Sequence, residues 1–256
     1  MPDRPIGFFD SGVGGLTVLY SAVKQMPEEN FIYFGDSQNA PYGTKNADKV
    51  FELTSSAVEK LVLQGAKAVV IACNTATSIA VDRLRETVAV PIISMEPAVK
   101  PALEQTSGNV LLLATSVTLS SKRVCALIDK LDVDNRVIKV PCPDLAAKIE
   151  ASVFGKEDVL PYLESVLAEY KDVGATAVVL GCTHYPLVKD KIKACLGENV
   201  LVFDGIDGTV QHLKDVLIQN NVKRNEKQKG TVLISSSKDD KKTNELFDKL
   251  ISGGIL

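Results

Sequence analysis

Short apolar runs alternate with amphipathic stretches along most of the chain. Ile6–Phe9, Phe31–Phe34, Ala68–Ala72 and Ile92–Ser94 have the length and the β-branched or aromatic content of buried strands. Between them a helix is predicted from Leu16, and Val50, Leu53, Ala57 and Leu61 fall at helical spacing on one face. The rhythm then restarts. Val110–Ala114, Val137–Val140, Ala177–Gly181 and Val200–Phe203 read as strands, with helices near 119–131, 145–152, 157–171 and 187–196. A last strand, Val232–Ser235, and a last helix, Thr243–Ile251, follow. Strands alternating with helices predict an α/β fold with mostly parallel sheets covered on both faces. The polar stretch 220–230 reads as a surface loop, and its charges, like those of Lys238–Lys242, as a solvated face.

One internal comparison changes that picture. Residues 65–73 read GAKAVVIAC and residues 174–182 read GATAVVLGC, six identities in nine positions at an offset of 109. A weaker echo aligns Ile6–Ser11 with Leu111–Ser116, each strand running into a hydroxyl-bearing turn. The chain therefore divides into two related α/β halves, 1–97 completed by 208–256 and 98–207, with a boundary near Pro97–Pro101. Ligands of open parallel sheets bind beyond the carboxyl ends of the strands. Cys73 and Cys182 end the repeated strands, so they occupy equivalent ligand-facing positions, and an active site is expected in the cleft between the halves.

Two thiols so placed suit the inversion of a stereocentre, in which one group removes a proton and another returns one to the far face. A free thiol has a pKa of about 8.5, so a modest local shift yields usable thiolate near neutrality. A single strand-end cysteine is more often packing than chemistry. Two at repeated positions, each followed by small polar residues, favour chemistry. Asn74, Thr75 and Thr183 follow them and offer N–H groups and hydroxyls at a helix start, a natural carboxylate site. Asp10, at the end of the first strand, either assists a thiol, holds an ammonium group or caps the next helix. His184, two residues after Cys182, either polarises the thiol, carries a proton or caps a helix. Asp36 and the turn Pro41-Tyr42-Gly43 follow the second strand, where a plain surface turn is the alternative. Glu150 reads equally as a pocket acid or an exposed helical residue.

Composition narrows the classes. Of 256 residues, 45% are hydrophobic and 24% charged, which is ordinary for a globular protein with real cores. Net charge is -3, Lys and Arg are dispersed and Trp is absent, so no nucleic-acid partner is expected. No apolar run approaches a membrane span, and the N-terminus lacks a signal-like apolar core, so a cytoplasmic protein with no membrane partner is expected. The five cysteines are odd in number and form no CxxC, which argues against disulfides and structural zinc. With two histidines, no metal site is expected. Asp10-Ser11-Gly12-Val13-Gly14-Gly15 has Thr17 where a dinucleotide fingerprint needs its third glycine, and no Walker lysine follows.

Together the segments FDSGVGGLTV at 9–18, FGDSQNAPYG at 34–43, ACNTAT at 72–77 and GCTHYP at 181–186 resemble the glutamate racemases of the cofactor-independent aspartate/glutamate racemase superfamily, in order and over nearly the whole chain. The resemblance implies two α/β domains, no cofactor, glutamate as substrate, D-glutamate supplied for peptidoglycan, and a homodimer. It implies that Cys73 abstracts the α-proton of D-glutamate and Cys182 that of L-glutamate, with Asp10 and His184 assisting. Ser11, Pro41, Tyr42, Gly43, Asn74, Thr75 and Thr183, with Asp10 and His184, would bind the amino acid. Thr-His after the second cysteine favours glutamate; aspartate racemases carry Thr-Glu there. Many members have Gly-Thr-x-x-Thr after the fifth strand. Here Ala114 replaces the glycine while Thr115 and Thr118 are kept, Thr118 as a substrate contact and Thr115, Asp36 and Glu150 as further pocket residues. The N-terminal extension of members activated by a peptidoglycan precursor is missing, so no such activation is expected. Aspartate or hydantoin racemisation, or a binding module retaining the fold, are the rivals.

Overall fold

A computed structural model describes residues 2–226, 228–238 and 240–252. In chain order the strands are β1 (Ile6–Asp10), β2 (Phe31–Gly35), β3 (Ala68–Ile71), β4 (Ile92–Ser94), β5 (Asn109–Ala114), β6 (Val137–Pro141), β7 (Ala175–Leu180), β8 (Leu201–Asp204) and β9 (Val232–Ser236). The helices are α1 (Leu16–Gln25), α2 (Ala47–Leu63), α3 (Asn74–Thr87), α4 (Val99–Gln105), α5 (Ser116–Ser120), α6 (Lys122–Leu131), α7 (Leu145–Val153), α8 (Leu160–Leu167), α9 (Lys189–Leu196), α10 (Ile206–Gln219) and α11 (Asp240–Ile251). Two compact units result. The first takes the described residues of Met1–Met95 and Ile206–Leu256, and the second is Glu96–Gly205.

The first unit carries a parallel sheet in the order β4-β3-β1-β2-β9, and the second a parallel sheet in the order β6-β5-β7-β8. Reversed, the second order is β8-β7-β5-β6, which is β4-β3-β1-β2 advanced by four strands. The repeat heard in the sequence is thus a repeated topology, and β9 is an addition to the first sheet. Central strands β1 and β5 are flanked by the cysteine-bearing β3 and β7, with Ile6 opposite Ala68 and Val110 opposite Ala177. Every residue of β1, β2 and β3 is buried, as strands covered on both faces must be. In the first unit Phe9, Val58, Leu61, Val69 and Ile71 form one core with Ala76 and Ala80 of α3. In the second, Leu113, Ile149, Leu163, Leu180 and Tyr185 pack on one sheet face and Val110, Leu112, Ile128 and Val179 on the other.

Several elements differ from the sequence expectation, each for a local reason. The helix expected over 119–131 is two helices, α5 and α6, because the Ser121 side chain leaves the helix and accepts from Val124 N at 3.2 Å as the cap of α6. The helix expected over 157–171 contracts to α8 and a 3₁₀ turn at Ala168–Tyr170. Helix α4 was masked in the sequence by Pro101, which it tolerates in its first turn. Lys223 and Arg224 are more than a solvated face. Lys223 pairs with Glu28, and Arg224 bonds Asp3, the Glu28 carbonyl and, through its own N–H, Glu29. Among the described residues no helix is long and apolar enough to cross a membrane.

Candidate active site

In the first unit, β1 and β3 run side by side and end at Asp10 and just before Cys73. Cys73 is the N-cap of α3, where its sulfur accepts Ala76 N–H at 3.5 Å and its S–H donates to Ser11 Oγ at 3.3 Å. An N–H donor and the positive end of a 14-residue helix are surroundings that stabilise negative charge on sulfur. Asp10 is fully buried and does not cap α1. Gly15 holds that position without a side-chain bond, and the Asp10 carboxylate accepts Gly12 N–H at 3.0 Å instead. A Cβ on Gly15 would stand 2.5 Å from the Asp10 Cβ, so the glycine is what lets the turn close over the carboxylate. The Tyr33 hydroxyl, unremarked in the sequence, fixes the same turn by donating to Gly12 O at 2.7 Å.

Asn74 and Thr75 open α3 and are buried. Neither Oδ1 nor Nδ2 of Asn74 has a hydrogen-bond partner among the described residues, although the side chain is only 4% exposed. A buried amide left unpaired costs about 1–3 kcal/mol, and such groups in folded proteins are met by ordered water, by an ion or by a ligand, or serve a catalytic site. The turn after β2 lies in the same unit. Pro41 is exposed, and Tyr42 begins a 3₁₀ turn, Tyr42–Thr44, that includes Gly43. The Tyr42 ring packs on Phe9 and its hydroxyl donates to Asp36 Oδ2 at 2.8 Å. Burial, the bond to Asp36, and the charges of Asp36, Cys73 and Asp10 all push the phenol far above its ordinary range, so Tyr42 remains a donor.

In the second unit Cys182 follows β7, as Cys73 follows β3, but no α-helix starts there. Pro186 disfavours helical backbone at Tyr185, and Tyr185–Val188 forms a 3₁₀ turn before α9. Thr183 and His184 fill the gap, both buried. The His184 Nδ1 lies 3.8 Å from Cys182 Sγ and its Nε2 2.8 Å from Glu150 Oε1 on α7, so histidine capping is not its role here. The imidazole thus stands between a thiol on its Nδ1 side and a carboxylate on its Nε2 side, the order of groups in a cysteine–histidine–carboxylate relay. Burial opposes charge on the ring, but hydrogen bonds to Cys182 and Glu150, and then their charges, outweigh it and raise the His184 pKa well above its ordinary value. Cys142, also against this cluster, is pushed up to about 12 by burial and by the Cys182 charge, which leaves it an inert thiol. Tyr185, missed from the sequence, anchors the segment by donating to Cys142 O at 3.2 Å. Thr115 caps α5, accepting Thr118 N–H at 3.3 Å, with the two hydroxyls 2.9 Å apart at the carboxyl end of β5. Among the described residues no group of three or more His, Cys, Asp or Glu is placed to hold a metal ion.

Comparison with known proteins matches residues 18–213 to the Asp/Glu/Hydantoin racemase family model. Glutamate racemase from Clostridium perfringens is 48% identical over 253 residues, 98% of this chain and 97% of that protein. The crystal structure of glutamate racemase isoform RacE1 from Bacillus anthracis is similar with a TM-score of 0.89 at 28% identity, covering 98% of this chain and 95% of that one. Glutamate racemase from Francisella tularensis, solved in complex with D-glutamate, is similar with a TM-score of 0.84 at 29% identity, over 98% and 95% of the two chains.

Proposed function

The chain belongs to the Asp/Glu/Hydantoin racemase family, and from that premise we propose that it interconverts L-glutamate and D-glutamate by cofactor-independent proton transfer at Cα. The observation that carries the reading is the pair of buried thiols ending equivalent strands, each with its own polar partner: Ser11 at Cys73 and His184 at Cys182. Cys182, relayed through His184 to Glu150, removes the α-proton of L-glutamate while Cys73 protonates the opposite face. Cys73, with Asp10 assisting, begins the reverse reaction. The α-proton is weakly acidic, so negative charge developing on the α-carboxylate must meet fixed donors. Ser11, Asn74, Thr75, Thr118 and Thr183, with the Pro41-Tyr42-Gly43 turn, are the residues we assign to the carboxylates and ammonium group. The unpartnered Asn74 amide supports this directly, because a bound amino acid supplies the bonds it lacks.

The same reading takes the protein as a cytoplasmic homodimer that supplies D-glutamate to peptidoglycan synthesis. It is tested by incubating the protein with L-glutamate in D2O without added cofactor, expecting loss of optical activity and deuterium at Cα. No exchange with either enantiomer overturns it. Cys73→Ser and Cys182→Ser should each abolish racemisation, and full activity in either removes the two-thiol mechanism. Aspartate in the same assay separates this substrate from the nearest rival, and sedimentation measures the assembly.

A further inference from the structure

The geometry points to Ser237 as a positioning residue that acts through Asp36 and Tyr42 to hold the substrate turn at 36–44. The inference rests on the racemase reading, and its observations all lie within the first unit. The Asp36 carboxylate is nearly buried, and both its oxygens are occupied. Oδ2 accepts the Tyr42 hydroxyl at 2.8 Å, Asn39 Nδ2 stands 3.0 Å from both oxygens, and Oδ1 accepts the Ser237 hydroxyl at 2.8 Å. Asn39 and Tyr42 are local neighbours of Asp36. Ser237 comes from 201 residues further along, just after β9.

That serine is itself tightly held. Its N–H donates to Gly35 O at 2.9 Å, which continues the β2–β9 ladder by one step beyond the Gly35–Ser236 pair. Its Oγ accepts Gln38 N–H at 2.9 Å. With an acceptor site so used, the hydroxyl hydrogen is left for Asp36, and one side chain binds both Asp36 and Gln38 at the start of the turn that follows β2. The other bonds of the turn are Asp36 N–H to Asp10 O at 2.9 Å, Asn39 N–H to Asp36 O at 3.1 Å, Lys45 N–H to Tyr42 O at 3.1 Å and an exposed Thr44 hydroxyl to Pro41 O at 3.3 Å, while Pro41 is exposed and no side chain caps the 3₁₀ segment. Tyr42 is therefore the anchor, its ring set on Phe9 and its hydroxyl set on Asp36. Ser237 decides where Asp36 sits, and so where Tyr42 and the backbone of Gly43 are presented to the amino acid. Its bonds go to Gly35, Asp36 and Gln38 and not to Cys73, so its effect falls on binding rather than on proton transfer.

The test is Ser237→Ala in the full chain, with glutamate kinetics in both directions. KM is expected to rise about three- to tenfold, because only part of the hydrogen bond lost at Asp36 is passed on through Tyr42 to the substrate, while kcat stays within about twofold. Ser237→Thr, which keeps the hydroxyl, restores KM. In a Tyr42→Phe background, where the link from Asp36 to the turn is cut, Ser237→Ala adds little. Thermal unfolding of each variant verifies that the fold persists. An unchanged KM in a Ser237→Ala protein that racemises glutamate overturns the inference and leaves the racemase reading standing, as do fully additive effects in the Tyr42 cycle. Failure of the unaltered chain to racemise glutamate overturns the racemase reading itself.

Discussion

Replacing Glu150 by Gln isolates the charge behind the His184 relay. Glutamine still offers a carbonyl oxygen to Nε2–H, so the ring keeps its orientation and tautomer, and only the negative charge is lost. The contact is 2.8 Å, the His184 side chain is 5% exposed and that of Glu150 29%, so screening by water is limited. The gap between a hydrogen bond to a charged group and a neutral one is about 1–1.5 kcal/mol. That lowers the proton affinity of His184 roughly five- to tenfold. In the folded chain the His184 pKa lies above its ordinary 6.5. The stability it contributes is therefore complete below about pH 6.5 and is lost as pH rises through the folded value. Glu150→Gln moves the upper end of that window downward, so the variant's loss of stability is largest near pH 6 and fades at alkaline pH. The chain has two histidines, so an NMR titration of the ring Cε1–H signals has only two resonances to assign and reads His184 directly. A His184 midpoint that stays put or rises in Glu150→Gln, or a stability loss that grows with pH, refutes the relay.

Other perturbations separate binding from folding. Asn74→Leu removes a buried amide that has no protein partner, so the thermal midpoint should hold or rise while glutamate turnover falls at least about tenfold; a midpoint several degrees lower shows that the amide served the fold. Lys67→Met strands the Glu29 carboxylate of a fully buried ion pair and should lower urea-unfolding stability by about 3–5 kcal/mol, much of it recovered by adding Glu29→Gln; no recovery in the double variant contradicts the desolvation account. Gly15→Ala drives a methyl into Asp10 and should cost about 1–3 kcal/mol along with racemisation, whereas wild-type stability and rate together would show that the turn yields freely.

The central strands and both thiols were legible because fully buried parallel strands are continuous apolar runs, and because a duplicated run ends twice in cysteine. What the sequence could not separate were readings that depend on distant partners. Glu150 looks like any helical surface carboxylate, and only the approach of α7 to the segment after β7 makes it the partner of His184. Asp36 announced itself by standing after a strand, but the serine that bonds it lies 201 residues away, just past the last strand, where nothing in the sequence marks it. The helix expected near 187–196 forms as α9, after a 3₁₀ turn that holds Pro186, so the two cysteines are equivalent in topology yet unlike in surroundings: a helix N-terminus for Cys73, an imidazole for Cys182.

The added strand β9 also sets an order of events during synthesis. Glu96–Gly205 is one uninterrupted segment, so that unit has all its strands once residue 205 has emerged. The first unit begins earlier but ends later: its sheet lacks an edge strand until residues 232–236 arrive, and the bond from Ser237 to Asp36 cannot form before then. Domains fold as units as the chain is made, generally from the N-terminus. Here the middle of the chain is finished before its beginning, and a nascent chain whose emerged part ends between residues 206 and 231 carries a complete second unit and an open first one. Such a nascent chain possesses both thiols and yet lacks Ser237 and its bond to Asp36.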